Sequence, residues 1–153
     1  MATFAIAADH AGVPLLEVAV SAVEKAGHTA LRVGSELIGP ADDYPDFAEA
    51  VAEAIRSGRA DRGIVLCGSG VGVSVAASKF PGIRAAVCHD AYTARQGVEH
   101  DDLNVLCVGA RVIGSELART VINEFIHARF SGEERHRRRL GKVAAFEERF
   151  AKA

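Results

Sequence analysis

The feature that most constrains the fold of this chain is a regular alternation of short apolar runs with longer amphipathic ones. The apolar runs predict β-strands over residues 3–8, 28–33, 63–67, 83–88 and 105–108. The amphipathic runs predict helices over residues 13–26, 45–57, 71–79, 91–99 and 114–129. Near-continuous apolar strands are typical of a parallel sheet that is covered on both faces. The pattern therefore predicts a three-layer α/β fold with a Rossmann-like, five-stranded parallel sheet in the order 2-1-3-4-5.

Length and charge narrow the class of protein. The 153 residues predict a single domain over 1–153 with a sizeable core. A net charge of −2 argues against a protein whose whole surface binds nucleic acid. No apolar run is long enough to span a bilayer, and the first residues lack the features of a signal peptide. The three cysteines form no CxxC pair, so we expect no disulfide framework, no metal site and a cytoplasmic location.

The segment 131–153 departs from the alternation of strands and helices and is interpreted as a C-terminal arm. Five of the six residues 135–140 are Arg or His. Residues 142–151 fit a helix with Val143, Phe146 and Phe150 on one face. Because this apolar face lies beyond a finished α/β unit, we predict that it packs on a second copy of the chain. The expected assembly is a homodimer or a tetramer, with no nucleic-acid or membrane partner.

The strand ends predict where a ligand would bind. In an open parallel sheet, ligands bind at the carboxyl ends of the strands, where the strand order reverses. In the predicted order this switch point lies between strands one and three. Strand one ends in Asp9-His10-Ala11-Gly12 and strand three in Cys67-Gly68-Ser69-Gly70-Val71-Gly72. Two ionisable residues, a thiol, a hydroxyl and four glycines should therefore meet at one crevice.

The segment LCGSGVG after strand three is the sharpest local signal. Glycines after a strand let backbone N–H groups turn toward an anion at the start of the next helix. That positive end would also favour the thiolate of Cys67. The alternative is a glycine-rich turn beside a small buried cysteine. Known phosphate loops do not fit, because no Gly-Lys-Ser/Thr triplet is present and Val73 stands where a cysteine phosphatase has arginine.

Polar residues in two other loops fit either a site or an ordinary surface. His100 precedes strand five, away from the carboxyl ends, so it would reach a neighbour's crevice more easily than its own. Asp42, Asp43 and Tyr44 follow strand two at the site edge. An acidic loop that caps the next helix is at least as good an interpretation of these three residues.

Three arginines also fit either a binding site or an ordinary exposed surface. Arg111 follows strand five and would reach an anion in the crevice, although an exposed arginine is the simpler alternative. Arg135 and Arg139 are four residues apart, so they share one face if this segment is helical. Two guanidinium groups on one face make a good clamp for a phosphate dianion, whereas a solvated basic run is the usual explanation of such a stretch.

Five segments taken together are more specific than any single motif: AADHAG, DDYPDFA, GIVLCGSGVGVSVAASKFPGIRAAVCHD, EHDDLNVLCVGARVIG and ERHRRR. In order and spacing they resemble the type B ribose-5-phosphate isomerases over nearly the whole chain. That family also includes isomerases of galactose 6-phosphate and allose 6-phosphate, and relatives that act on four-carbon sugar phosphates. The resemblance implies an aldose–ketose isomerase that works through an enediolate without a cofactor, in a dimer with shared sites.

The resemblance also implies catalytic roles for three residues. Cys67 would be the base that moves a proton between C1 and C2 of the sugar. Ser69 would help to hold the enediolate oxygens, and His100 would assist opening of the furanose ring. In such a shared site, His100 would come from the partner subunit.

A larger set would bind substrate, namely Asp9, His10, Asp43, Tyr44, Gly68, Gly70, Val71, Gly72, Asn104, Arg111, Arg135 and Arg139. Within it, the N–H groups of the three residues from Gly70 to Gly72 would face the enediolate oxygens. His10, Arg135 and Arg139 would grip the phosphate, with Arg111 of the partner near it. Asp9, Asp43 and Tyr44 would contact the sugar.

Three functions remain open from the sequence. The leading one is the interconversion of ribose 5-phosphate and ribulose 5-phosphate. The second keeps the mechanism but changes the substrate to allose 6-phosphate, galactose 6-phosphate or a tetrose phosphate, because the loop 34–42 near the sugar leaves chain length open. The third is a non-catalytic phosphosugar-binding module, which would need neither Cys67 nor His100.

Overall fold

The computed structural model describes residues 1–151, so the last two residues of the predicted arm lie outside the described part. The strands are β1 (Thr3–Ala8), β2 (Thr29–Arg32), β3 (Arg62–Cys67), β4 (Ala85–Val87) and β5 (Val105–Gly109). The α-helices are α1 (Leu16–Lys25), α2 (Tyr44–Arg56), α3 (Val71–Ala77), α4 (Ala91–Asp101), α5 (Ser115–His127) and α6 (Glu134–Phe150). Short 3₁₀ helices cover Val13–Leu15 and Ser35–Leu37. Each predicted strand and helix is present, with ends that differ by a few residues.

All strand pairs are parallel, and the sheet order is β2-β1-β3-β5-β4. The predicted class is confirmed, but the predicted order 2-1-3-4-5 is wrong for the last two strands. β5 is buried along its whole length, whereas every residue of the three-residue β4 is half-buried. The fully apolar strand therefore takes the interior place beside β3, and the short one forms the edge. The switch point between β1 and β3 is unaffected.

Two apolar layers cover the faces of the sheet and confirm the three-layer arrangement. On one face, Phe4 and Leu106 pack in a cluster with Phe125 of α5 and with α1. On the other face, Val65 and Cys107 pack with Phe47 of α2 and with α3. Alternate residues of β3 and β5 thus serve opposite clusters, as the two-residue period of a strand requires. No α-helix within residues 1–151 is long and apolar enough to cross a membrane.

Helix α6 is the longest helix and stands apart from the core. It begins before the predicted helix and includes the basic run, so Arg135 and Arg139 do lie on a helix. Its apolar side chains are open to solvent, with Val143 53%, Phe146 55% and Phe150 69% exposed. They line a groove of about 1040 Å³ between α6 and the edge strand β4. The predicted apolar face is therefore present and uncovered in the single chain.

Arg62 links the amino end of the sheet to the end of α5. Its guanidinium lies 4.0 Å from the centre of the Phe125 ring and 5.3 Å from that of Phe4. The same group donates hydrogen bonds to the carbonyl oxygens of Phe125 at 2.6 Å and Ile126 at 3.4 Å. Burial lowers the pKa of Arg62 to about 10, so it remains charged at neutral pH. The cation thereby satisfies carbonyl groups that the helix end leaves open.

Replacing Arg62 should destabilise the fold. We expect Arg62→Met to lower the free energy of unfolding by about 2 kcal/mol, because charged hydrogen bonds to the end of α5 are lost. Urea unfolding at fixed protein concentration measures the change. Arg56→Met, at a surface ion pair with Glu53, is the matched control and should change stability by less than about 0.5 kcal/mol. Equal unfolding midpoints for Arg62→Met and the parent would contradict this role.

Candidate active site

The carboxyl ends of β1 and β3 meet as predicted. The Asp9 N–H donates to the Leu66 carbonyl of β3 at 3.1 Å. The Asp9 carboxylate is 6% exposed and accepts hydrogen bonds from the N–H groups of Ala11 at 3.0 Å and Gly12 at 2.9 Å. A side chain at Gly12 would overlap the Leu66 carbonyl, so only glycine permits this close approach. Asp9 therefore fixes the turn that holds His10 at the crevice.

The loop after β3 folds around Cys67. The Cys67 thiol is 5% exposed, and its Sγ accepts a hydrogen bond from the Gly70 N–H at 3.1 Å. Gly70 has a φ of 80°, a left-handed conformation that favours glycine. The Ser69 Oγ accepts from the Val71 N–H at 3.1 Å, and α3 begins at Val71. The Ser69 hydroxyl and the Cys67 thiol thus lie on one tight turn that leads into α3.

The end of β5 supports this loop from behind. An added Cβ at Gly109 would lie 2.5 Å from the Ser69 carbonyl carbon, so the two backbones are in direct contact. The Gly109 N–H donates to Nε2 of His89 at 2.9 Å. Burial lowers the pKa of His89, in keeping with a neutral ring that accepts this bond. Sequence reasoning missed His89. No motif marks this residue, and its hydrogen bond to Gly109 is visible only once β4 is paired with β5.

Two larger side chains close over the glycines. An added Cβ at Gly72 would lie 2.8 Å from the Tyr44 ring, and one at Gly68 would lie 3.3 Å from Nη1 of Arg111. The Arg111 N–H also donates to the Gly68 carbonyl at 3.0 Å. Arg111 therefore belongs to the crevice of its own chain. The expectation that the partner subunit supplies Arg111 to a shared site stays a prediction.

The loop after β2 reaches the same edge of the sheet. Nδ1 of His10 lies 2.5 Å from Oδ1 of Asp42, whose side chain is 2% exposed. Asp43 occupies the N-cap position of α2, but its side chain makes no capping bond. The interpretation of Asp43 as a side-chain cap of α2 is therefore wrong, and its side chain is exposed. Sequence reasoning placed Asp42 at this edge but missed its contact with His10.

His100, Arg135 and Arg139 form a second group, on α4 and α6. The His100 ring stacks on His136 with ring centres 4.1 Å apart. His136 is 2% exposed, and its Nδ1 lies 2.5 Å from the Ser131 hydroxyl. Burial lowers the pKa of His136, and its buried Nε2 has no hydrogen-bond partner within residues 1–151. No sequence signal distinguished His136 from the arginines around it.

This second group lies at the opposite end of the sheet from the crevice. His100 is in the last turn of α4, which leads into the amino end of β5. The five residues of β5 rise by about 3.3 Å each, so the two ends of the strand are about 13 Å apart. The structure thus brings together the residues predicted on β1, β3 and the loop after β2. It does not bring His100 to them within one chain.

Asn104 also lies at the amino end of β5. Its Nδ2 donates to the Gly82 carbonyl at 2.9 Å, and its Oδ1 accepts from the Arg84 N–H at 2.7 Å. Both ends of the amide therefore bind the segment that leads into β4. These bonds give Asn104 a structural role, and its predicted contact with substrate stays a prediction.

The other two cysteines differ from Cys67 in their surroundings. Burial raises the pKa of the Cys88 thiol and that of the Cys107 thiol. All three cysteines belong to the core clusters of the sheet, but within residues 1–151 only the Cys67 Sγ accepts a hydrogen bond from a backbone N–H group. Cys88 and Cys107 are expected to stay protonated at neutral pH, which leaves Cys67 as the one candidate nucleophile or base among the three cysteines.

One group of possible metal ligands occurs within residues 1–151, namely Asp9, His10 and Asp42. Its oxygens are already engaged, because Asp9 accepts two backbone N–H groups and Asp42 accepts those of His10 and Gly39. The prediction that the site needs no metal remains a prediction.

The cysteine and the glycine-rich loop lie at the switch point of a parallel sheet, which is where α/β proteins of this architecture bind their ligands. Residues 4–143 match the family described as Ribose/Galactose Isomerase, and the chain belongs to that family. It is 39% identical to ribose-5-phosphate isomerase B of Escherichia coli, over 97% of this chain and 99% of the relative. It is also 39% identical to D-erythrulose-4-phosphate isomerase of Pectobacterium atrosepticum, over 86% and 87%.

The fold comparison agrees. The structure of ribose-5-phosphate isomerase B from Clostridium thermocellum superposes with a TM-score of 0.90 at 42% identity, covering 97% of this chain and 99% of that one. The predicted family and enzyme class are confirmed: the chain is an aldose–ketose sugar-phosphate isomerase. The non-catalytic binding module is therefore set aside.

The contact between Gly109 and Ser69 generates a prediction. Gly109→Ala should push the loop after β3 out of place and lower kcat/KM for the sugar phosphate by about 100-fold, since displacements near 1 Å are costly in active sites. Steady-state kinetics and circular dichroism measure activity and folding together. Gly114→Ala, in open space at a φ of −85°, is the matched control and should leave both unchanged. Parent-like activity in Gly109→Ala would show that the loop does not depend on β5.

Proposed function

We propose that this isomerase interconverts ribose 5-phosphate and ribulose 5-phosphate, with Cys67 as the base. The observation that carries the proposal is the placement of Cys67 on the loop between β3 and α3, with the Gly70 N–H donating to its Sγ. A hydrogen bond to sulfur stabilises the thiolate, which is the form that accepts a proton. The high identity to a relative named for this substrate supports the choice.

The reaction needs one base and a stabilised oxyanion. The Cys67 thiolate removes the proton from C2 of the open-chain aldose, and the electrons move into an enediolate. In the enediolate the proton of the hydroxyl on C2 passes to the oxygen on C1, and the same thiol then returns its proton to C1, so that C2 is oxidised to the ketone while C1 is reduced. Because the two changes balance within one molecule, no redox cofactor is required.

The start of α3 supports the charge on the enediolate. Its first internal hydrogen bond runs from the Ser74 N–H to the Gly70 carbonyl at 3.2 Å, so the earlier N–H groups of the helix point outward. We propose that the N–H of Gly72 and the hydroxyl of Ser69 hold the oxygens on C1 and C2. The Val71 N–H, which bonds the Ser69 Oγ, orients that hydroxyl.

The remaining predicted residues complete the site across a dimer. His100, Arg135 and Arg139 lie far from the crevice of their own chain, on the helices next to the uncovered face of α6. We propose that α6 packs on a second copy, as the C-terminal arm of a single-domain protein, and brings these residues to the partner's crevice. There the two guanidinium groups bind the phosphate, and His100 assists ring opening.

The second candidate is another aldose phosphate in the same site. The relative from Pectobacterium is named for a four-carbon sugar phosphate, although it is as similar in identity as the E. coli enzyme. The loop 34–42 ends beside His10 and therefore lies where substrate length would be sensed. We also propose a cytoplasmic location, since all three cysteines are free.

A substrate panel tests both the substrate and the base. We expect ribose 5-phosphate to be turned over more efficiently than allose 6-phosphate, galactose 6-phosphate or erythrose 4-phosphate. Cys67→Ala should lower kcat by at least about 1000-fold, because the proton transfer then lacks its base. Cys88→Ala is the control and should retain activity. Preference for another sugar would correct the substrate, and an active Cys67→Ala variant would exclude Cys67 as the base.

Mixed dimers test the shared site. Cys67→Ala and His100→Asn variants should each be nearly inactive alone. When they are co-expressed, half of the dimers are mixed and contain one intact site, so about a quarter of parent activity should return. Activity of the mixture that equals the sum of the separate variants would show that both residues act within one chain.

A further inference from the structure

The contact between His10 and Asp42 joins a residue of the proposed phosphate site to a carboxylate that has no role in the proposed reaction. The Asp42 side chain is 2% exposed, yet it contacts a histidine side chain that is 44% exposed at the edge of the crevice. A buried carboxylate is costly unless its oxygens are hydrogen-bonded. Here both are: Oδ1 faces Nδ1 of His10 at 2.5 Å, and Oδ2 accepts from the N–H groups of His10 at 2.9 Å and Gly39 at 3.1 Å.

These bonds keep Asp42 ionised. Burial alone would raise the pKa of Asp42, but the hydrogen bonds from the His10 ring and from the two backbone N–H groups outweigh it, so the pKa is lowered. An ionised carboxylate only accepts hydrogen bonds, so Nδ1 of His10 must carry the proton. Asp42, whose side chain is 2% exposed, therefore fixes which ring nitrogen of His10 carries a proton.

The contact of Nδ1 with Asp42 determines what the other ring nitrogen of His10, Nε2, can do. With Nδ1 committed to Asp42, Nε2 donates a hydrogen bond to an anion only if the ring carries a second proton and is cationic. The negative charge of Asp42 stabilises that cation, and a charged donor makes a stronger bond to phosphate than a neutral one. The arrangement resembles the way a carboxylate orients a metal-binding histidine.

We infer that Asp42 is a positioning residue that holds His10 as an imidazolium for the phosphate of the substrate. The inference rests on the proposed contact between His10 and the phosphate. The Asp42 side chain is 2% exposed, so we expect it to act through His10 and not on the substrate directly. It also anchors the loop 34–42 through Gly39, so one buried carboxylate couples that loop to the phosphate-binding side chain.

Asp42→Asn separates this role from loop anchoring. The amide oxygen of Asn can still accept the N–H groups of His10 and Gly39, while its NH₂ then faces the ring. Because that NH₂ donates to Nδ1, the ring should shift to the neutral form with its proton on Nε2. Nitrogen-15 NMR of labelled histidine, with His10→Gln to assign the signal, should show a protonated Nδ1 in the parent and an unprotonated one in Asp42→Asn.

Kinetics and inhibition by inorganic phosphate test the consequence. In Asp42→Asn we expect KM for ribose 5-phosphate and Ki for phosphate each to rise about tenfold, with kcat nearly unchanged, because a charged hydrogen bond becomes a neutral one. In a His10→Gln background, the same substitution should have no further effect. Asp46→Asn, on an exposed carboxylate in the first turn of α2, is the control and should change nothing.

Three results would overturn the inference. They are an Nδ1 that stays protonated in Asp42→Asn, an equal rise of KM with and without His10, and activity that falls on dialysis against EDTA and returns with a divalent cation. The loss of activity with EDTA and its return with a divalent cation would mean that His10 and Asp42 bind a metal ion. If the parent turned over none of the sugar phosphates tested, the proposed function would fail, while the NMR comparison would still decide whether Asp42 sets the state of His10.

Discussion

The site depends on close contact between backbones at the carboxyl edge of the sheet. Gly12 approaches the Leu66 carbonyl of β3, and Gly109 of β5 lies against Ser69. These contacts leave no room for side chains, and they fix the loop that carries Cys67 from both sides. Three neighbouring strands, β1, β3 and β5, therefore act as one rigid support for the loop where the proposed proton transfer occurs. Rigid support of this kind keeps reacting groups in place without reorganisation during the reaction.

Much of this arrangement was predictable because it follows from local rules. The apolar runs predicted the strands, and strands one and three predicted the crevice between Asp9 and Cys67. The order of the last two strands was not predictable in the same way. Both runs are apolar, and their places depend on length and on burial against helices that a linear pattern does not show. The same limit applies to His136, because its stacking on His100 depends on how α6 returns to α4.

The structure also separates the residues that the family resemblance had grouped together. Arg111 lies in the crevice of its own chain. Asn104 instead forms hydrogen bonds to the segment that leads into β4. His100, Arg135 and Arg139 lie around the base of α6, beside an apolar groove along the edge strand. A single chain thus contains the proposed base and the proposed oxyanion loop at one end and a cationic group at the other. Two copies that exchange these ends would complete two sites at once, as an isologous twofold interface does.

We propose that the crevice between β1 and β3 binds the sugar phosphate and that a second chain completes this site. A crystal structure of the Cys67→Ala variant with ribose 5-phosphate tests this most directly. We expect C1 and C2 of the sugar to lie beside Ser69 and Gly72 of one chain, with the phosphate between His10 of that chain and Arg135 and Arg139 of a second copy. A sugar phosphate bound wholly within one chain, or bound in the groove beside β4, would contradict this proposal.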